Sequence, residues 1–117
     1  MAWDLSHITK QVEEQAVEHV RDIATDISAV IGRKSPVRTS RLVSNNNIST
    51  IMPDDYFDEE RKLGRAGAIQ AMAEEASQIQ TLTDVWITNE TPYGPEQEAK
   101  HGFYRIAIPA VARKYGY

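Results

Sequence analysis

Three histidines, a run of carboxylates and a cluster of cations are the residues of this chain whose types could do chemistry. His7, His19 and His101 are its only histidines. His7 and His19 stand twelve residues apart, more than three helical turns, so one helix cannot present both to one metal. No HExxH, calcium-loop or carboxylate–histidine ligand spacing accompanies them, and each reads as a lone surface histidine. Asp54, Asp55, Asp58, Glu59 and Glu60 could supply paired carboxylates for acid–base work. Such pairs need apolar surroundings to push their pKa values apart, and this run lacks them, so it reads as a solvated loop. No Ser or Thr sits in a nucleophile-elbow phrase. Gly64 and Gly67 lack the Lys-Ser/Thr that completes a phosphate loop. Arg33, Lys34, Arg38 and Arg41 could meet phosphates, yet no aromatic platform or recognition motif goes with them. The expectation is a protein that acts by binding, with no catalytic, cofactor or metal site.

The composition frames that expectation. With 117 residues, 41% hydrophobic and 26% charged, the chain suits one globular domain with a modest core. No apolar run approaches the length of a membrane span, and no cationic start followed by an apolar stretch suggests a secretory signal. There are no cysteines, which excludes disulfides and thiolate metal sites. The net charge of −4 argues mildly against a generic DNA binder. Its distribution is uneven. Residues 1–31 hold two cations against six acids, residues 32–42 hold four cations and no acid, and residues 53–60 hold five acids. Alternating blocks suit docking on charged partners in a fixed register; each block also reads as a solvated face.

The elements follow from periodicity. Leu5, Ile8, Val12, Ala16, Val20, Ile23, Ile27 and Val30 step by three or four, which predicts a long amphipathic helix over about 3–32. Asp4 or Ser6 would cap its start, and Gly32 would end it in the left-handed conformation. At about 45 Å it is long for one small domain, so its stripe is buried either against another subunit or on its own sheet. Pro36 breaks the helix. A strand is expected over about 41–52, with Asn45-Asn46-Asn47 as a bulge or tight turn. An acidic loop over 53–60 follows, then a helix over about 60–80 whose Gly64 and Gly67 hint at close packing. A strand over about 84–89 has Trp86 as a candidate core residue. A C-terminal helix over about 97–115 is expected to kink or restart at Pro109. The fold class is α+β: a long N-terminal helix on a small, mostly antiparallel sheet, with a second helix and a short C-terminal helix.

Two phrases about fifty residues apart each couple a turn to an extended run: Ser35-Pro36-Val37-Arg38-Thr39-Ser40-Arg41-Leu42 and Val85-Trp86-Ile87-Thr88-Asn89-Glu90-Thr91-Pro92-Tyr93-Gly94. In order and surroundings they resemble the phage tail-completion (neck, head–tail joining) proteins. That family typically reads long helix, Pro-Val-Asp-Thr-Gly-Arg-Leu-like turn, strand, long loop and helix. A strand ending in Asn-x-x-Pro-Tyr follows, then a Gly-aromatic-Arg-like entry into a final helix. Pro36, Val37, Thr39, Arg41 and Leu42 match the first turn, with Arg38 in place of the usual acid and Ser40 in place of the usual glycine. Asn89, Pro92 and Tyr93 match the second, and Gly102 matches the last segment. The family's glutamate after Pro-Tyr has only Glu96 or Glu98 as a loose counterpart.

The resemblance implies a mechanical role in the virion. Such proteins form a ring, a hexamer or dodecamer, coaxial with the DNA channel. They join a head-side connector or head-closure protein to the tail tube or a tail-terminator protein. DNA passes through without sequence-specific binding, no membrane is involved, and assembly takes place in the host bacterial cytoplasm. Six copies at −4 each would carry about −24, which disfavours sticking to transiting DNA. Candidate partner or oligomer contacts are Arg33, Lys34, Arg38, Asp54, Asp55, Tyr56, Phe57, Tyr115 and Tyr117. Within the same setting a tail-terminator ring capping the tail tube is the alternative. From another class, a cytoplasmic oligomeric interaction or regulatory module is.

Overall fold

The apolar stepping of the first third of the chain produces α1 (Ser6–Lys34), whose 29 residues run about 43 Å. The computed structural model describes residues 6–38, 40–50, 52–81 and 84–116, with side chains from Lys10 onward. Expectations for Asp4, Leu5, Thr39, Ile51 and Tyr117 lie outside the described residues, as do those for the side chains of Ser6 and Ile8. After α1 come α2 (Arg41–Ser44), β1 (Asn46–Ser49), α3 (Gly64–Ser77), β2 (Trp86–Asn89), α4 (Gly94–His101) and α5 (Phe103–Lys114). The fold is α+β. α1 packs along both α3 and α5, and a two-stranded antiparallel sheet of β1 and β2 lies against α3. Asn46 stands opposite Asn89 in this sheet, and Ser49 opposite Trp86.

Two apolar clusters share α1. Ile31 joins Leu42, Met72, Phe103 and Ala107 in one, with Ile48, Ile87 and Tyr93 packed against it. Val17 and Ala24 join Ala76 and Ile79 in the other, where the Arg21 guanidinium donates to the Ile79 carbonyl just beyond the end of α3. The stripe is therefore covered from Val17 onward. Before that point Lys10–Gln15 are exposed, Val12 to 59%. This overhang helps stretch the molecule to 65 × 28 × 22 Å with a radius of gyration of 16.4 Å, against about 13 Å for a rounded domain of this length.

Several expected boundaries move, each for a physical reason. α1 does not end at Gly32 but continues to Lys34. Gly32 serves as a crossing point instead: a Cβ there would fall 2.1 Å from Ile69 Cγ1, so its absence lets α3 approach. Of the two expected close-packing glycines, Gly67 has a tight neighbour only in the residue before its own helix, a Cβ there falling 3.2 Å from Leu63 Cβ, and Gly64 has none. Gly64 starts α3 at φ +75°, with nothing within 4 Å of a Cβ, so the expected helix over 60–80 shortens to Gly64–Ser77. The expected strand over 41–52 divides. Ser44 N–H donates to the Ser40 carbonyl at 2.9 Å, which closes one helical turn over Arg41–Ser44 and leaves only Asn46–Ser49 extended. Trp86 is half-buried, and the β2 residue packed on the main core is Ile87.

The C-terminal helix breaks at Gly102, not at Pro109. Gly102 takes φ +59° and donates its N–H to the Glu98 carbonyl at 2.8 Å, ending α4. The Glu98 carboxylate then accepts from Tyr104 N–H and Arg105 N–H, both at 3.0 Å, satisfying donors that a new helix leaves unpaired. Pro109 lies inside α5 on its exposed side, where water can serve the carbonyl that loses its partner.

The far end of α5 is clipped to α1 by Asp26. Its Oδ2 accepts from Lys114 Nζ at 2.8 Å and Tyr115 Oη at 2.5 Å, and the Tyr115 ring meets His19 edge to face at 5.2 Å. The bonds from Lys114 and then Tyr115 hold the Asp26 carboxyl below 3.8, while the bond to Asp26 pushes Tyr115 up to about 12. A depressed carboxyl stabilises the fold above its unfolded value and stops doing so as pH falls through its folded value. Denaturant midpoints should therefore fall below pH 3.8 more steeply in the wild type than in Asp26→Asn. Parallel acid profiles for the two proteins would refute the clip.

Candidate functional site

Asparagine is a residue of turns because its amide can imitate the backbone, and here four of them imitate it inside the protein. Asn45, Asn46 and Asn47 are buried, where each amide must find partners. Asn45 Nδ2 donates to the carbonyls of Arg41 at 2.8 Å and Asp58 at 3.0 Å, and its Oδ1 accepts from Asp58 N–H at 2.8 Å. Asn47 Nδ2 donates to the Tyr56 carbonyl at 2.8 Å. The acidic loop over 53–60 is thus held by its backbone to β1 and the turn before it, and is not a free solvated segment. Thr88 adds a bond from Oγ1 to the Asp54 carbonyl at 2.6 Å. Within the loop, Asp54 accepts from Tyr56 N–H and Asp58 from Glu60 N–H, both at 2.9 Å. Asp55 and Tyr56 remain exposed and Phe57 is half-buried.

Asn46 and Asn89 join the two phrases. Asn46 Nδ2 donates to the Val43 carbonyl at 3.0 Å, and its Oδ1 accepts from Asn89 Nδ2 at 3.2 Å and Tyr104 Oη at 2.5 Å. Asn89 Nδ2 also reaches the Leu42 carbonyl at 2.8 Å, and its Oδ1 accepts from Thr91 N–H at 3.1 Å and Thr91 Oγ1 at 2.8 Å. That last pair shapes the Pro92-Tyr93 turn, and Gly94 N–H closes it on the Thr91 carbonyl at 2.9 Å. Burial, then the nearby Glu98 and Glu90, pushes the Tyr104 phenol well above its ordinary value, so it stays a donor. On the other side of β1, Ile48 N–H donates to Glu75 Oε2 at 2.7 Å; burial raises the Glu75 carboxyl and this bond opposes the rise.

The first turn is tied as firmly. Ser35 donates to the Ile31 carbonyl through N–H at 2.9 Å and Oγ at 2.6 Å, and Pro36 then prevents continuation. Ser40 takes φ 60°, a left-handed conformation that favours glycine. It is the position where the family's turn carries glycine. Its Oγ accepts from Gly64 N–H at 3.0 Å, while Ser44 Oγ accepts from Leu63 N–H at 2.8 Å. Arg41 Nε donates to the Glu59 carbonyl at 2.8 Å. Arg33, Lys34 and Arg38 are exposed.

Where the two turns meet, a groove of about 530 Å³ opens, lined by Pro36, Arg38, Ser40, Arg41, Leu42, Tyr93 and Gln97. Four residues of the resemblance, Pro36, Arg41, Leu42 and Tyr93, share it. Val37 is half-buried and Pro92 exposed, Asn89 acts behind the groove as the tie, and Gly102 belongs to the α4–α5 break. Tyr115 belongs to the Asp26 clip. Leu42, Pro36 and Tyr93 give apolar surface beside the Arg38 cation, so the chemistry on offer is recognition of an apolar group with negative charge next to it. Among the described residues no group of three or more His, Cys, Asp or Glu could hold a metal ion, and no helix is long and apolar enough to cross a membrane. No family model matches the chain, and no curated protein or solved structure matches it.

Two substitutions probe this frame. Asn46→Ala leaves the Tyr104 hydroxyl, an Asn89 proton and the Val43 carbonyl without their shared partner, and should cost about 2–4 kcal/mol, with Tyr104→Phe costing less. An unfolding free energy of Asn46→Ala in urea within about 0.5 kcal/mol of wild type would show that the tie is dispensable. At Ser40, alanine loses the Gly64 bond and keeps the strain, whereas glycine loses the bond and relieves the strain. Ser40→Ala should therefore be less stable than Ser40→Gly by about 1 kcal/mol, and the reverse order would contradict this account of the turn.

Proposed function

We propose that this chain is a structural protein of a phage neck, completing the tail and joining it to the head, and that it acts by binding without catalysing a reaction. One observation carries the reading: the two phrases that resemble the tail-completion family, distant in sequence, form one bonded unit through Asn89 and the Leu42 carbonyl. That unit is a frame for a docking surface. In this role copies of the chain form a ring around the DNA channel, contacting a head-side connector on one face and the tail on the other. The overall charge of −4 supports passage of DNA without adhesion.

Mass spectrometry of purified virions tests the assignment, and the chain should be present in stoichiometric amount. Deletion of its gene should leave filled heads and finished tails unconnected. Tails of uncontrolled length would instead identify a tail terminator, and absence from particles would refute a virion role altogether.

A further inference from the structure

We infer that the outer edge of β2 takes up an extended, lysine- or arginine-bearing segment of a partner protein as a third strand of the sheet. The other three sides of this sheet are closed. On one face Asn47 and Thr88 hold the backbone of the acidic loop; on the other, Ile48 and Ile87 pack on the cluster of Leu42 and Phe103. The β1 edge is closed by Glu75, whose Oε2 accepts from Ile48 N–H at 2.7 Å. That bond also gives the sense of the ladder. Ile48 turns its backbone groups away from β2, so its partner Ile87 turns its own N–H and C=O outward. Asn89, two residues on, does the same. Neither residue's backbone groups find a hydrogen-bond partner among the described residues. Donors and acceptors repeated at the two-residue spacing of a strand are matched by another strand.

The surroundings of the edge select the kind of strand that fits. Asp84 and Glu90 flank β2, and both are exposed. Two copies pairing antiparallel about Ile87 would set Asp84 against Glu90 at both ends, and like charges directly opposite disfavour that pairing. Cations at the ends of an incoming strand would instead meet an acid at each end. On the Ile87 face, a cavity of about 200 Å³ bordered by Asn89, Pro95, Phe103 and Tyr104 has room for an apolar side chain of that strand. This contact is independent of the neck reading, since it follows from the sheet edge alone.

Amide hydrogen exchange of the full chain, read by NMR, provides the test. In the chain alone the amides of Ile87 and Asn89 should exchange fast, and that of Thr88, paired with Asn47 across the ladder, slowly. The probe is the peptide Lys-Val-Thr-Val-Thr-Val-Lys with blocked ends, whose lysines fall opposite Asp84 and Glu90 when its central valine meets Ile87. At about ten times its Kd it should slow exchange at Ile87 and Asn89 about tenfold. Replacing its lysines with glutamates, or methylating the central valine nitrogen, should weaken binding at least about tenfold. Asp84→Lys with Glu90→Lys, checked for folding by circular dichroism, should lose the lysine peptide and gain the glutamate one. Protection of Ile87 and Asn89 in the chain alone overturns the inference, whether the chain itself or a second copy supplies it. So does a lysine peptide that leaves both amides unchanged at about 1 mM, or one that the glutamate or methylated form equals. A folded charge-reversed variant that keeps the wild-type preference overturns it too. No virion enters these measurements, so their failure leaves the neck reading standing, and absence of the chain from virions leaves this contact in place.

Discussion

The amide pair between Asn46 and Asn89 is the constraint on which the rest of this fold depends. A sheet of two strands, each four residues long, has too little surface to stand alone. Buried amides cost stability unless every donor and acceptor is paired. Here the side chains of Asn45, Asn46, Asn47 and Asn89 each find backbone or side-chain partners. Among the described residues no buried side-chain nitrogen or oxygen is left without one. Alternative pairings of these short strands would leave amides unpaired, so the network selects one register where hydrophobic alternation is too brief to do so.

The helices depend on that register in turn. Tyr104 reaches Asn46 from the first turn of α5, so the strand pair and the C-terminal helix are positioned together. Glu98 starts α5 and Asp26 holds its end, leaving the buried side of Phe103, Ala107 and Val111 to face α1. Gly32 sets the other crossing, where Ile69 occupies the space a side chain would need.

The sequence made α1 legible because its apolar stepping persists over many turns, and the α+β class followed from two further apolar runs. What it concealed were residues with two physical uses. Asn45–Asn47 look like a turn and are instead the polar interior. Gly32 looks like a helix end and is a crossing point. Pro109 looks like the break in the last helix, but its exposed position makes it tolerable, and Gly102 breaks the chain instead. Leu42 and Val43 share a buried helical turn that alternation could not distinguish from a strand. Glu98 was visible only as a loose match, since its service to Tyr104 and Arg105 spans a helix break. The groove itself was invisible in one dimension, although the two phrases that line it stood out. Their meeting depends on bonds from Asn89 to residues more than forty positions earlier.

The continuity of α1 has a mechanical consequence. From Ser6 to Lys34 it contains no proline, the commonest cause of a helix kink, and among the described residues its buried side chains begin at Val17. It is a lever with its fulcrum inside the domain. The overhang from Val17 back to Ser6 is about 16 Å long, so a tilt of about 5° about Val17 moves the start of the helix by little more than about 1 Å. The overhang therefore turns with the body that grips the rest of α1, and its stiffness comes from a single unbroken helix.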